Sequence, residues 1–455
     1  MTIEEGIFIM FKSFFGLIGI FVLQELASYI LNIFFGKAGK KVPSILSSFY
    51  NKKAQEFYET IRTNEYKKFE FEYLRMYYGE EFFTRTHRGM IPVFTIKYNS
   101  ENDKYVDSIK YFDGLADKEN VDFSFSVEEH QKYNTNKYYR KYSKIVGKNI
   151  KAPDRPGFML DEIDCNEKGE MIRFRGYIGT YAENVYSNHV LEYELYKLFC
   201  MNNKSMIIKD KLFKKSIIRN NMHASLKREN FTDRKLEMML KSLRRGEGRQ
   251  SLLSVQMIVL MRKGKDYYIS IIQRSKNVAL APGIFQLVPS GGFEILNDSL
   301  NGYSKYEIES NYSLGCAIFR EYIEEIFGEP EFEGRGKGSV NEALLKDSHI
   351  CKIEEMLKNG KAQFEFLGSV MGLAGLRHEL SFALVIKDEE YSFQKFYGNE
   401  ESVNRTFVSD VTLSDFEDRS DIWSSLHGPS AAMWTLFKES KIYKEIVEEY
   451  YSTAY

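Results

Sequence analysis

Between Leu314 and Pro330 the chain reads LGCAIFREYIEEIFGEP, and this run constrains the fold more than any other stretch. Leu314, Ala317, Ile318, Tyr322 and Ile326 recur at helical spacing and make one apolar stripe, which needs a core to receive it. Glu321, Glu324 and Glu325 fall on the other side, and Gly328 and Pro330 end the helix. Residues three and four apart are neighbours on a helix surface, so these carboxylates converge within one turn and repel unless opposite charge is supplied. A hard divalent cation such as Mg²⁺ or Mn²⁺ meets that need, because it takes carboxylate oxygens together with the phosphate oxygens of a substrate. Arg320 stands beside the cluster, placed to orient one carboxylate. Read alone, the same string is also the solvated face of an acidic helix, so the surroundings decide.

Upstream, SVQMIVLMRKG and DYYISIIQRS read as two β-strands joined at Lys263 to Lys265, followed by the turn-rich GIFQLVPSGGFE from Gly283 to Glu294. The order strand, Q-R-S, P-G-I-F, P-S-G-G-F-E and A-x-x-R-E-x-x-E-E resembles the Nudix hydrolases. Their signature is G, five residues, E, seven residues, then R-E-U-x-E-E-x-G-U, with U a bulky aliphatic. Arg320, Glu321, Glu324 and Glu325 match its core, Gly291 and Gly292 its glycine turn, and Gln273, Arg274 and Gly283 to Phe285 the usual lead-in. Two departures stand out. An extra loop, from about Ile295 to Ser313, separates the glycine turn from the helix, and counting back from Arg320 puts Tyr312 where the family has its first Glu. Glu307 or Glu309 is left to supply that carboxylate, and Phe327 stands where the helix-ending Gly belongs, with Gly displaced by one to Gly328.

The resemblance covers Leu252 to the C-terminus and implies an α/β/α sandwich with mixed sheets over residues 250–455. It implies that Glu321, Glu324 and Glu325 hold Mg²⁺ or Mn²⁺ and that Arg320 orients them. Glu324 and Glu325, with Glu379 as base, would carry catalysis. Arg274, Gln286, Gly291, Gly292 and Arg377 would contact a nucleotide or nucleoside diphosphate derivative. Glu379 and Arg377 lie in a late strand within GSVMGLAGLRHELSFALVI; Glu365 is a second candidate base, and His378 reads more readily as a satisfied surface residue. Met433 and Trp434 read as part of a final packed helix.

At the other end, Phe14 to Phe35 reads FFGLIGIFVLQELASYILNIFF, roughly 33 Å as a helix against a hydrocarbon core of roughly 30 Å. Its apolar residues contribute roughly -6 kcal/mol to insertion while Glu25 alone costs about 3, which suggests that Glu25 meets another helix rather than lipid. Glu4 and Glu5 precede the run and Lys37, Lys40 and Lys41 follow it, so the expectation is a single-pass anchor, residues 1–42, in the inner membrane with the remainder in the cytoplasm. An amphipathic helical connector, 43–85, then leads from Ile45 to Tyr78, and short alternating runs suggest a mixed α/β middle domain over 86–249.

Charge excludes a nucleic-acid binder driven by a global field, since 63 Lys and Arg face 64 Asp and Glu for a net charge of -1. The local exception is 204–249, with 14 basic against 5 acidic residues, suited to phosphates or an anionic surface and equally to a solvated helix face. Cys165, Cys200, Cys316 and Cys351 form no C-x-x-C pair, which argues against zinc ribbons and disulfide frameworks.

Anchor, middle domain and Nudix-like domain together resemble the membrane-anchored Nudix effectors of bacterial CBASS anti-phage systems. That resemblance implies a cyclic oligonucleotide as activating partner and a homo-oligomer at the membrane. The Nudix resemblance implies one of two functions: a hydrolase of nucleoside diphosphate-linked compounds, favoured by the three retained glutamates, or a nucleotide-binding sensor controlling membrane helices, favoured by the altered first Glu and the long insertion. A tethered scaffold would show neither metal nor nucleotide affinity.

Overall fold

The computed structural model describes residues 41–99, 106–124, 155–205, 207–223, 232–246, 248–274, 283–296, 304–329, 340–391, 405–407 and 411–453. The chain divides into two compact units, residues 1–57 and 58–455. Among the described residues no helix is long and apolar enough to cross a membrane. This corrects the expected transmembrane helix and, with it, the single-pass inner-membrane placement. The first described helix, α1 (Lys41–Thr60), has 20 residues but carries Lys41, Lys52, Lys53, Glu56 and Glu59, a charge load unsuited to a bilayer core. The run Phe14–Phe35, with Glu25, lies outside the described residues.

The connector expected as one helix is two. Helix α2 (Asn64–Tyr78) starts afresh at Thr63, whose hydroxyl accepts from the Tyr66 amide at 3.2 Å, an N-cap inside the amphipathic pattern. Its stripe of Tyr66, Phe69, Tyr73 and Leu74 is buried, with Phe69 against Phe199 of α3 (Val190–Met201) at a centroid distance of 5.2 Å.

The strands in chain order are β1 (Thr84–Thr86), β2 (Gly89–Ile91), β3 (Val93–Lys97), β4 (Pro156–Cys165), β5 (Met171–Thr180), β6 (Ser254–Lys263), β7 (Asp266–Ile269), β8 (Ile271–Arg274), β9 (Phe285–Leu287), β10 (Ser290–Gly292), β11 (Ala362–Gly372), β12 (Arg377–Ile386) and β13 (Arg405–Phe407). The central sheet runs β10-β6-β12-β11-β3, with β7 also on β6. It is mixed: β12 lies parallel to β6, while β10, β11 and β3 pair antiparallel with their neighbours. A second sheet has the order β13-β8-β9, and β4 and β5 form a long hairpin.

Three of the remaining helices bear on the site: α4 (Leu314–Tyr322), α5 (Gly428–Glu439) and α6 (Lys441–Thr453). Alternation along the strands assigns the two faces of the central sheet. Phe364, Phe366 and Phe382 share one face with Val255 and Met257, and Phe319 of α4 packs there, 5.1 Å from the Phe364 ring. Ile258, Leu260, Val370, Ala383 and Val385 share the other face and form one buried cluster with Met433, Trp434 and Phe437 of α5. Met433 and Trp434 therefore sit in a packed helix, as their apolar spacing suggests.

Residues 86–249 and 250–455 fall within the same compact unit. Strand β3 pairs directly with β11. Strand β4 joins the chain that leaves the glycine turn to the chain that enters β6: the Phe158 amide donates to Phe293 O at 3.0 Å, Ile295 donates to Pro156 O at 2.9 Å and Leu253 donates to Phe158 O at 2.9 Å.

Candidate active site

Helix α4 begins at Ser313, whose hydroxyl accepts from the Cys316 amide at 3.2 Å and donates to Asp113 at 2.6 Å. Gly315 is required there, because a Cβ would overlap Ile109 O. The helix continues as a π-turn over Ile323–Phe327 and stops at Gly328, which is left-handed at φ 69°. A π-turn accommodates one extra residue within a helix. This is the physical reason that the terminating glycine is displaced by one position.

The same helix lays Glu321 on the glycine strand. A Cβ at Gly291 would overlap the Glu321 carboxyl group, so the carboxylate keeps this place against the strand only while no side chain stands there. Arg320, 5% exposed on its side chain, donates through Nη2 to Gly292 O at 3.2 Å and lies 3.5 Å from Glu321 Oε1. The Ser290 amide donates to Glu325 Oε2 at 2.7 Å. Glu324 is buried. Burial drives Glu321 well above the usual carboxylate range, and Glu324, Glu325 and Glu294 push it the same way while Arg320 opposes them. The expected grouping of Glu321, Glu324, Glu325, Arg320, Gly291 and Gly292 is therefore present in space.

Glu294 is the acidic residue that counting along the chain misses. It follows the glycine turn by two positions, and a Cβ at Gly292 would lie 3.0 Å from its Oε1. Arg155, at the start of β4, stands 3.8 Å from Glu294 Oε2. Tyr312, counted into the place of the first Glu, is instead fully buried: it stacks on Phe293 at 5.7 Å, and its hydroxyl accepts from the Gly176 amide at 2.9 Å. Glu307 is taken by a capping box with Ser304, and Glu309 is exposed. Neither replaces the missing carboxylate.

Two rows of side chains cross β10, β6 and β12 in register: Gly292, Ser254 and Glu379, then Ser290, Gln256 and Ser381. They lie on the face that α5 covers farther along, where the same parity becomes Ile258, Leu260, Ala383 and Val385. The sheet face thus changes from apolar core to polar floor within each strand. Gln256 donates to Ser381 Oγ at 3.0 Å, and Gln286 donates to Ser290 Oγ. Glu379, two strands from Gly292, is displaced laterally by about 10 Å. Burial pushes its pKa up to about 7, with Arg377 opposing.

Cationic groups edge this floor. Arg377 donates to His189 Nε2 at 2.9 Å and to Glu192 Oε1 at 3.2 Å, so two side chains of 180–201 fix its direction. His189 is held far below its usual pKa by burial first and Arg377 second, so it stays a neutral acceptor. Arg274 closes the β8 end, its amide donating to Ile284 O at 2.9 Å. Arg377, Glu294 and Arg274 all act on Tyr181, and burial followed by Arg274 and Arg377 pushes His427 down to about 3. His427 is tied to β9 through its amide, which donates to Phe285 O at 2.8 Å. Tyr181, His189, Glu192 and His427 join the site from sequence positions that carry no local motif.

Glu365 is not at the site. Its carboxylate accepts from the Lys441 and Ile442 amides, at 3.2 and 2.9 Å, and so caps α6. His378 is fully buried rather than on the surface, between Ser369 Oγ at 2.8 Å and Leu243 O at 2.8 Å. Among the described residues no three acidic, histidine or cysteine side chains already stand within common metal-coordination reach. Compared with protein-family models and with curated proteins, the chain matches none.

Proposed function

We propose that the chain is a divalent-metal-dependent hydrolase of the Nudix type, acting on nucleoside diphosphate-linked compounds. The observation carrying this reading is the Glu321 carboxylate, pressed toward its neutral form among Glu324, Glu325 and Glu294 and seated where the facing strand has glycine. An all-carboxylate donor set is the kind that Mg²⁺ and Mn²⁺ take. Glu321, Glu324 and Glu325 would hold the ion, and Glu294 would add charge beside them. The bound ion would polarise a phosphoryl oxygen.

The remaining steps belong to the protein's own groups. Arg274 and Arg377 bind phosphate oxygens on the side away from the carboxylates, as guanidinium forks do. Gln286 and the floor around Ser290 orient the substrate. Glu379 takes a proton from water as the water oxygen bonds to phosphorus and the bridging P–O bond breaks, leaving two phosphate-bearing products. A carboxyl near pH 7 in pKa suits that proton transfer.

The test is the purified full chain with Mg²⁺ or Mn²⁺ against ADP-ribose, dinucleoside polyphosphates and nucleoside triphosphates, alongside Glu321→Gln. Metal-dependent release of two phosphate-bearing products by the wild type, lost in the variant, is expected. A wild type inert on every compound, or a variant of equal activity, overturns the reading. A second reading, nucleotide binding without turnover, draws on the buried aromatic Tyr312 where a carboxylate is expected. Calorimetry showing nucleotide binding with no product would select it.

A further inference from the structure

The amides of Leu373 and Leu376, in the turn that launches β12, donate to Pro92 O at 3.0 Å and Gly372 O at 2.8 Å, but its carbonyls are held by side chains from outside the sheet. Arg219 donates through Nη1 to Leu373 O at 2.7 Å and through Nη2 to Ala374 O at 2.6 Å. Asn188 Nδ2 donates to Gly375 O at 3.1 Å and Leu376 O at 3.2 Å. Arg249 Nε and Ser251 Oγ also donate to Leu376 O, at 3.2 and 3.1 Å. Four successive carbonyls thus accept from one distant stretch of chain. Leu376 sits at φ 54°, a left-handed conformation that a leucine rarely adopts, and it is fully buried. Such a conformation persists only where the surroundings over-determine it, and these places concentrate at functional sites.

The donors are themselves held. Arg219, 1% exposed, also donates to Tyr78 Oη at 2.7 Å, and its own amide donates to Glu194 Oε2 at 3.2 Å. The Tyr78 hydroxyl meets His223 Nε2 at 3.1 Å, and His223 Nδ1 meets Ser242 Oγ at 2.7 Å. Asn188 lies in a π-turn, Val185–His189, and its neighbour His189 is the residue that receives Arg377. One irregular turn of helix therefore holds both the backbone before Arg377 and its side chain.

We propose that Asn188 and Arg219 are positioning residues, fixing the Leu373–Leu376 turn so that Arg377 and Glu379 enter the site in one orientation. The functional part rests on the hydrolase reading. A buried carbonyl deprived of its donor is costly, so the turn should loosen when either side chain is shortened. Arg377 and Glu379, the first and third residues of β12, then lose their common frame, and small misplacements of such groups cost rate as well as binding.

The experiment compares wild type, Asn188→Ala and Arg219→Lys as full chains by hydrogen exchange and by kinetics. Asn188→Ala removes donors without adding a charge, so it serves if Arg219→Lys fails to fold. Peptides spanning 372–378 should exchange about tenfold faster in Asn188→Ala, as expected for loss of about one net hydrogen bond, while peptides of β6 stay as in wild type. On any compound the wild type hydrolyses, kcat should fall about tenfold or more through the misplaced Glu379, and KM should rise through the misplaced Arg377. Unchanged exchange at 372–378 overturns the proposal, as does faster exchange with unaltered kcat. If the wild type hydrolyses nothing, the hydrolase reading fails, and exchange alone decides whether Asn188 holds the turn.

Discussion

The Ser290 amide and the Glu325 carboxylate are joined by a 2.7 Å hydrogen bond that ties the strand of the glycine turn to the π-turn of the acidic helix. Glu325→Gln keeps an acceptor for that amide and removes the charge. Metal-dependent turnover should fall by about 100-fold or more, beyond the usual effect of losing an outer partner of a metal site, while the melting temperature stays near that of wild type. Thermal melts and initial rates on one preparation check this; equal rates would remove Glu325 from the metal site.

Glu379 gives a pH signature. Its pKa in the folded chain is raised to about 7 from an ordinary 4.5, so the folded protein holds a proton there that the unfolded chain has released. The residue thus weakens the fold as pH rises between those values, whereas a base must be ionised and activity should rise through about pH 7. Glu379→Gln should lower kcat by about 10²- to 10⁴-fold, abolish that rise and be relatively more stable above pH 7. A variant with the wild-type pH profile would exclude Glu379 as the base.

Gly291→Ala tests the approach of helix to strand. A methyl group there overlaps the Glu321 carboxyl, so the carboxylate must move. Activity should drop at least about tenfold through misplaced geometry, while the melting temperature stays near that of wild type because only the carboxyl end has to shift. Full activity in the alanine variant would mean that Glu321 need not lie against the strand.

Acid should unfold the protein through its buried histidines. Burial, with Arg249 adding, holds His223 and His378 each down to about 3 against an ordinary 6.5. The unfolded chain binds protons in that window and the folded chain does not, so stability is lost as pH falls from about 6.5 toward about 3. Each histidine contributes about 1.4 kcal/mol per pH unit within it. Denaturant titrations at pH 7, 6 and 5 should show this decline, less steep in His378→Gln. A decline in His378→Gln as steep as in wild type would contradict it.

Much of the acidic helix is legible in sequence because its signal is local: an apolar stripe fixes the buried face, and Glu321, Glu324 and Glu325 must share the other. Glu294 escapes because a spacing rule counted back from Arg320 stops at Tyr312, with the inserted helix, Lys305–Asn311, still between it and the glycine turn. The alternation of Ser254, Gln256, Ile258 and Leu260 marks the change from site to core, but it is visible only once the neighbouring strands are known. The contributions of Asn188, His189 and Arg219 depend on hydrogen bonds across more than 150 residues and leave no periodicity. At the N-terminal end, apolar length suggested an anchor, whereas the described helices carry too many charges for one.

Strand β3 covers the outer edge of β11, and a Cβ at Gly368 would collide with Ile96 O, so the two backbones are fitted closely. Any shortened gene product beginning near residue 250 would inherit the catalytic-looking half with that edge stripped bare, exposing the unpaired amides and carbonyls of Gly368 to Gly372. Bare edges recruit other chains. For this protein, inheritance by recombination is therefore all or nothing: the acidic helix, which starts at Leu314, travels productively only with the far earlier strand that ends at Lys97.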